Sequence, residues 1–151
     1  MSKEELVENI KKLDKPGRDK TKKLIESMGY EFLEPKNEKL SYDCYFISKG
    51  KMYLIEIKDR DPKNEKYDDF ILECDKYNRI QNWKRKLNAA GCYYFNWFGD
   101  KCYVFNLDNP EITENKTVKK MNAVTAASRF NKIDKDIYLI KKKLGKIYTL
   151  D

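Results

Sequence analysis

Three charged side chains stand where a sheet would bring them together. Asp43 lies beside the apolar run Tyr42–Ile47, and Glu56 and Lys58 lie at the end of the run Met52–Ile57. Ser48-Lys49-Gly50-Lys51 separates the runs, so the segment reads as a β-hairpin. With Lys49-Gly50 as the two-residue turn, Ile47 faces Met52, Tyr45 faces Leu54 and Asp43 faces Glu56. Alternation along a strand then puts Asp43, Glu56 and Lys58 on one side of the sheet, with Tyr45, Ile47 and Leu54. Directly opposed carboxylates destabilise a strand pair, and a divalent cation with a lysine alongside would neutralise them. The other reading is a solvated strand face with an ordinary Glu–Lys ion pair. The apolar company of Leu54 and Ile47 and the opposed Asp43 favour the metal.

The chain has no histidine, so hydrolytic chemistry here would rest on carboxylates, lysine and metal-bound water. Its four cysteines, Cys44, Cys74, Cys92 and Cys102, contain no Cys-x-x-Cys pair, which argues against zinc. They are expected to be free thiols in a reducing compartment. No apolar run is long enough to span a bilayer, and the charged start Met1-Ser2-Lys3-Glu4-Glu5 is no signal core, so a cytoplasmic location is expected. A net charge of +7 favours a polyanionic partner, nucleic acid ahead of a membrane surface. A Lys-rich surface that only confers solubility would carry the same charge.

The 151 residues make one domain able to bury a core, and eleven Tyr, seven Phe and two Trp offset the 38% charged content. Residues 1–15 read as a short helix with Leu6, Ile10 and Leu13 in register, broken by Pro16-Gly17. A second helix, Lys20–Met28, ends at Gly29, and Tyr30–Leu33 is a short strand before the hairpin. Asp59–Asp69 is a polar loop. Phe70–Ala90 reads as the main helix, stopped by Gly91, with Tyr77, Ile80, Trp83 and Leu87 along its apolar stripe. Glu73 and Lys76 fall on that same stripe, either as an exposed i,i+3 pair or as side chains overlooking the carboxylates. Tyr93–Phe98 and Lys101–Leu107 form an aromatic hairpin about Gly99-Asp100, with Cys102 opposite Trp97. Its rings are core by default, although some could stack on unpaired bases. Val118–Arg129 reads as a weaker helix and Ile137–Ile140 as a strand. The sum is an α/β or α+β domain, a central mixed sheet flanked by helices.

Asp43, twelve residues, then Glu56-Ile57-Lys58 resembles the core of the PD-(D/E)-x-K nuclease superfamily, which includes restriction endonucleases, archaeal Holliday-junction resolvases and small phage-encoded nucleases. The order is also similar: a helix ending in Gly29-Tyr30, a strand with Asp, a strand with Glu-x-Lys, then a helix. The resemblance covers about 18–107, leaving 108–151 as an extension of a single domain, 1–151. Tyr42 stands in place of the motif's proline, and Asp19 and Glu26 lie off the apolar side of the first helix.

The resemblance implies a restriction-endonuclease-like core and Mg²⁺, with Mn²⁺ as a substitute, held by Asp43, Glu56 and the carbonyl of Ile57. Lys58 would position water or stabilise the phosphate, Glu73 would orient water or a second ion, and Lys76 and Arg60 would hold the phosphate backbone. Lys141, Lys142 and Lys143, the densest basic cluster, are candidate DNA contacts beside a reading as a solvated terminus. The function implied is DNA phosphodiester hydrolysis, with junction or flap specificity one option and a homodimer expected if the substrate is a junction. The alternatives are a non-catalytic nucleic-acid-binding protein on the same fold and a protein–protein adaptor or inhibitor.

Overall fold

The computed structural model describes residues 2–35, 42–122 and 132–151. Two helices and nine strands follow in order: α1 (Lys3–Ser27), β1 (Glu31–Leu33), β2 (Cys44–Ser48), β3 (Lys51–Arg60), β4 (Asp69–Glu73), α2 (Cys74–Leu87), β5 (Gly91–Phe98), β6 (Lys101–Asn106), β7 (Lys116–Asn122), β8 (Lys132–Lys141) and β9 (Lys146–Thr149). Six strands form one sheet in the order β1-β2-β3-β5-β6-β9, and β4-β8-β7 form a second. Only β3 and β5 run parallel, and the connection between them carries β4 and α2. This is the expected mixed α+β architecture.

The central hairpin has the expected register, with Tyr45 opposite Leu54 and Ile47 opposite Met52. Its turn takes positive φ at both central residues, 52° at Lys49 and 75° at Gly50, the geometry whose twist matches paired strands. Alternation along β3 then divides the core. Ile55 packs under α1 with Leu24, Ile25, Phe95 and Trp97. Leu54 faces the other way, toward Ile80, Cys92, Phe105 and the β4 side chains Phe70 and Leu72. The helices thus cover opposite faces of the sheet.

Several expectations need correction. Pro16-Gly17 does not break a helix: α1 is continuous from Lys3 to Ser27 with Pro16 inside it. The glycine serves packing instead, since a Cβ there would lie 3.0 Å from Ile57 Cγ2, so α1 crosses β3 closely only at a residue without a side chain. The side chains of Leu6, Ile10 and Leu13 lie outside the described ones. The expected polar loop is shorter, because β3 reaches Arg60, and a 3-10 turn over Pro62–Lys66 follows.

Phe70–Glu73 is strand, not helix, since Phe70 and Leu72 alternate into the core. The helix starts at Cys74 and ends in an αL cap at Asn88 rather than at Gly91, which opens β5. Leu87, expected on the stripe, is 39% exposed at the helix end. Lys116–Asn122 is a strand where a helix was expected, and β8 extends well beyond Ile137–Ile140. The rest of that expected helix, 123–129, lies outside the described residues.

The aromatic hairpin pairs Trp97 with Cys102 as expected. Tyr94, Phe95, Trp97 and Phe98 are buried, so these rings form core on both faces and offer no platform to bases. All four cysteines are free and buried. Burial pushes Cys92 up to about 12 and raises Cys102 further, which keeps both as inert thiols.

Candidate active site

The site gathers where β2 enters the sheet. Asp43 sits one residue before β2 rather than within it, as expected from the hairpin, because its backbone turns toward β3. Its N–H donates to the Ile55 carbonyl at 3.0 Å. Its side-chain Oδ2 accepts from the Ile57 N–H at 2.6 Å, a charge-assisted bond that fixes the carboxylate against β3. Glu56 projects from the same face and is only 8% exposed. A buried carboxylate requires countercharge, and Lys76, in the first turn of α2, brings its Nζ to 3.9 Å from Glu56 Oε1.

Lys76 also lies 3.8 Å from Glu73 Oε2, so one ammonium spans two carboxylates. Burial acts to lower the pKa of Lys76, but Glu56, Tyr94, Glu73 and Asp43 together outweigh it, and the net shift is upward. Glu73 has a second cation, because Lys135 Nζ donates to its Oε1 at 2.8 Å from β8. Burial works to raise the Glu73 carboxyl, yet the Lys135 hydrogen bond and the charges of Lys76, Lys135 and Lys58 bring it below its ordinary value.

Glu73 is therefore the last residue of β4 and the cap position of α2, not a residue within the helix stripe. The strand end and the first helical turn bring Glu73 and Lys76 together, and Lys76 to Glu56. Lys58, Arg60, Glu73, Lys76, Tyr94 and Met121 line a cleft of about 260 Å³. Lys58 pairs with Asn96 and Glu56 with Tyr94 across the parallel β3–β5 ladder.

Arg60 reaches the cleft wall, where its donors meet protein groups. Nε bonds Asn96 Oδ1 at 2.8 Å, and one Nη bonds the Ile71 carbonyl at 2.9 Å and the Tyr94 hydroxyl at 3.1 Å. Tyr94 in turn donates to the Ile71 carbonyl at 2.9 Å. This part-buried network ties the large sheet to β4.

Lys141, Lys142 and Lys143 do not join the cleft. Lys141 pairs with Asp69, at the opposite end of β4 from Glu73, and four strand residues span about 13 Å. They line a separate open surface with Tyr103, where Lys142 Nζ donates to the Glu65 carbonyl. Asp19 and Glu26 on α1 are exposed and take no place in the cleft.

Sequence reasoning missed four side chains here. Tyr94 and Asn96 were legible as polar groups at alternate positions of an otherwise apolar strand. Met121 was hidden because its strand read as helix, and Lys135 because the expected strand began only at Ile137.

The donor set bears on which ion would suit this place. Asp43, Glu56 and backbone carbonyls are hard oxygen ligands, and Cys44 points to the opposite, α1 face of the sheet. Two carboxylates suit Mg²⁺, which retains several waters, better than a cage-seeking ion. Among the described residues no cluster of three or more His, Cys, Asp or Glu side chains could hold an ion by itself. The residues fit a partly hydrated divalent cation.

No protein-family profile matches the sequence, and no curated protein does. Among solved structures, the chain is similar to Hjc, a Holliday junction resolvase from the archaeal hyperthermophile Archaeoglobus fulgidus. The TM-score is 0.53 at 14% identity, over 83% of this chain and 91% of that one. The chain thus shares its architecture with this resolvase, a restriction-endonuclease-like fold.

Proposed function

We propose that this protein is a metal-dependent nuclease that hydrolyses DNA phosphodiester bonds. The observation that supports the reading is the Asp43 carboxylate held on the N–H of Ile57, the residue between Glu56 and Lys58, within a resolvase-like fold. Asp43, Glu56 and the Ile57 carbonyl would hold Mg²⁺, with Mn²⁺ as a substitute. The ion would supply an acidified water and offset phosphate charge.

The chain's own groups do the rest. The Ile57 N–H keeps the Asp43 carboxylate turned to the site. Lys58 lies two residues past Glu56, on the same face of β3, and its ammonium would position the attacking water or stabilise the phosphorane oxygens. Lys76 balances Glu56 and Glu73 in the ligand-free protein. As a phosphate enters, Lys76 would turn from carboxylate to phosphate. Glu73 would orient water on the far side of the cleft. Arg60 braces the cleft wall through Asn96, Tyr94 and Ile71. Lys141, Lys142 and Lys143 would bind DNA backbone at a second patch. A branched substrate would call for a two-fold dimer carrying two such sites.

The test is cleavage of a labelled panel of single strand, duplex, nicked duplex, flap and four-way junction. Each runs with Mg²⁺, Mn²⁺ or EDTA, using wild type and Lys58→Ala. The expected result is metal-dependent cutting that falls at least about a hundredfold in Lys58→Ala. DNA binding without cutting under any metal would overturn the enzymatic reading.

A further inference from the structure

β7 and β8 run past the end of the sheet to which they belong. β4 stops at Glu73, opposite Ile137. The β7–β8 ladder continues through Val118–Asp136 to Asn122–Lys132 with no third strand beside it among the described residues. Five further residues make a two-stranded ribbon about 17 Å long. It starts at Glu73 and so rises from the mouth of the cleft.

The two faces of this ribbon differ. One face carries Lys116, Val118 and Lys120 from β7, opposite Tyr138, Asp136 and Asp134 from β8. Two of its three lysines meet acids: Lys116 Nζ lies 3.9 Å from Asp136 and Lys120 stands across from Asp134, while Lys132 stands across from Asn122. The other face carries Lys119 opposite Lys135 and Met121 opposite Ile133. That is the face that meets the cleft, since Met121 lines it with Lys58 and Lys135 reaches Glu73. A like-charge pair directly across a ladder is unfavourable, and both of the ribbon's acids point away from it. Ile133 is 49% exposed on the same face, an apolar side chain in open solvent beside lysines.

Residues 116–141 hold seven Lys or Arg against two Asp, most of the excess positive charge of a chain with net charge +7. A two-stranded β-ribbon has the width to enter the major groove of a duplex, where apolar side chains meet thymine methyl groups and lysines meet phosphates. We infer that the ribbon's cleft-side face is a duplex-DNA-binding arm. Lys119 contacts a phosphate, and Met121 with Ile133 meets the groove beside the bond placed at Lys58. The Lys135–Glu73 ion pair anchors the arm to the site. The inference rests on the proposed nuclease reading and adds the element that grips the duplex flanking the scissile phosphate. The competing account is that β7 is an edge strand whose lysines only prevent pairing with other chains. Such a guard would use lysines on either face alike.

That difference supplies the test. Binding of a fluorescein-labelled duplex is followed by anisotropy in EDTA across a salt series, for wild type, Lys119→Glu and Lys120→Glu. Both lysines are exposed, and circular dichroism with thermal melting checks that each variant is folded. Lys119→Glu should weaken binding at least about tenfold and lower the salt slope by about 1, the loss of one phosphate contact. Lys120→Glu, on the face that holds both aspartates, should stay within about twofold of wild type. Equal effects from both substitutions, or none from Lys119→Glu, would overturn the arm while leaving wild-type cleavage to support the nuclease. Absence of any duplex binding by wild type would overturn the arm together with its premise.

Discussion

The two faces of β3 share one backbone and have opposite contents. Toward α1 it presents Ile55 and Ile57 to a layer closed by Leu24, Ile25, Phe95 and Trp97. Even the polar atoms there are paired within the layer. Trp97 Nε1 donates to Thr21 Oγ1 at 2.9 Å, and Thr21 donates to the Gly17 carbonyl at 2.8 Å. Toward α2 the same strand starts apolar at Leu54 and then turns to Glu56, Lys58 and Arg60. The change coincides with the cover. α2 and the core end of β4 close the sheet over Leu54, and farther along only a strand end, a first helical turn and the ribbon remain. Charges can be held there because each carboxylate is met by lysine or backbone N–H. One face is a foundation, and the other is a frame of compensated charges open at one side.

Substitutions on the two faces should separate stability from activity. The largest effect on folding is expected from Trp97→Ala, at about 3–5 kcal/mol in urea denaturation, from lost burial and the cavity left behind. A cost below about 1 kcal/mol would mean that the α1 face is not the close-packed foundation described.

Gly17→Val should cost less, about 1–3 kcal/mol, by forcing a side chain into the helix–strand crossing above Ile57. Because Ile57 also donates the N–H that fixes Asp43, this variant sharpens the comparison. Cleavage at a temperature where it remains folded should fall as well. Full activity per folded molecule would show that the two faces are mechanically independent.

The smallest effect is that of Glu73→Gln, and it depends on pH. The Glu73 carboxyl is held below its ordinary value, so its charge stabilises the fold above the unfolded value of about 4.3. That contribution is lost as the pH falls through the lower native value. Denaturation midpoints of wild type and Glu73→Gln should therefore differ most near neutrality and converge in acid. A gap that widens on acidification would contradict the compensated frame.

Much of this was legible from residue types. Lys49-Gly50 fixed the hairpin register, and the register placed Asp43 beside Glu56 and Lys58. Three features were hidden for separate physical reasons. Pro16-Gly17 reads as a breaker by local propensity, but tertiary contact between α1 and β3 overrides it. Phe70-Ile71-Leu72-Glu73 runs directly into a helix, so one continuous apolar pattern concealed a change of period at Glu73. The strand β7, with five polar residues in Lys-Thr-Val-Lys-Lys-Met-Asn, buries too little to show alternation, and only its ladder with β8 defines it. The last two omissions hid the same region, the β4 end and the ribbon, which together complete the cleft.

The most direct test of the open face is metal binding itself, read without any substrate. Mn²⁺ titration followed by electron paramagnetic resonance would compare wild type with Glu56→Gln, which keeps the size and removes the charge. The account predicts saturable binding by wild type that weakens at least about tenfold in Glu56→Gln. Equal Mn²⁺ binding by the two proteins would contradict it and leave the Asp43–Glu56 pair as a structural ion cluster held by Lys76.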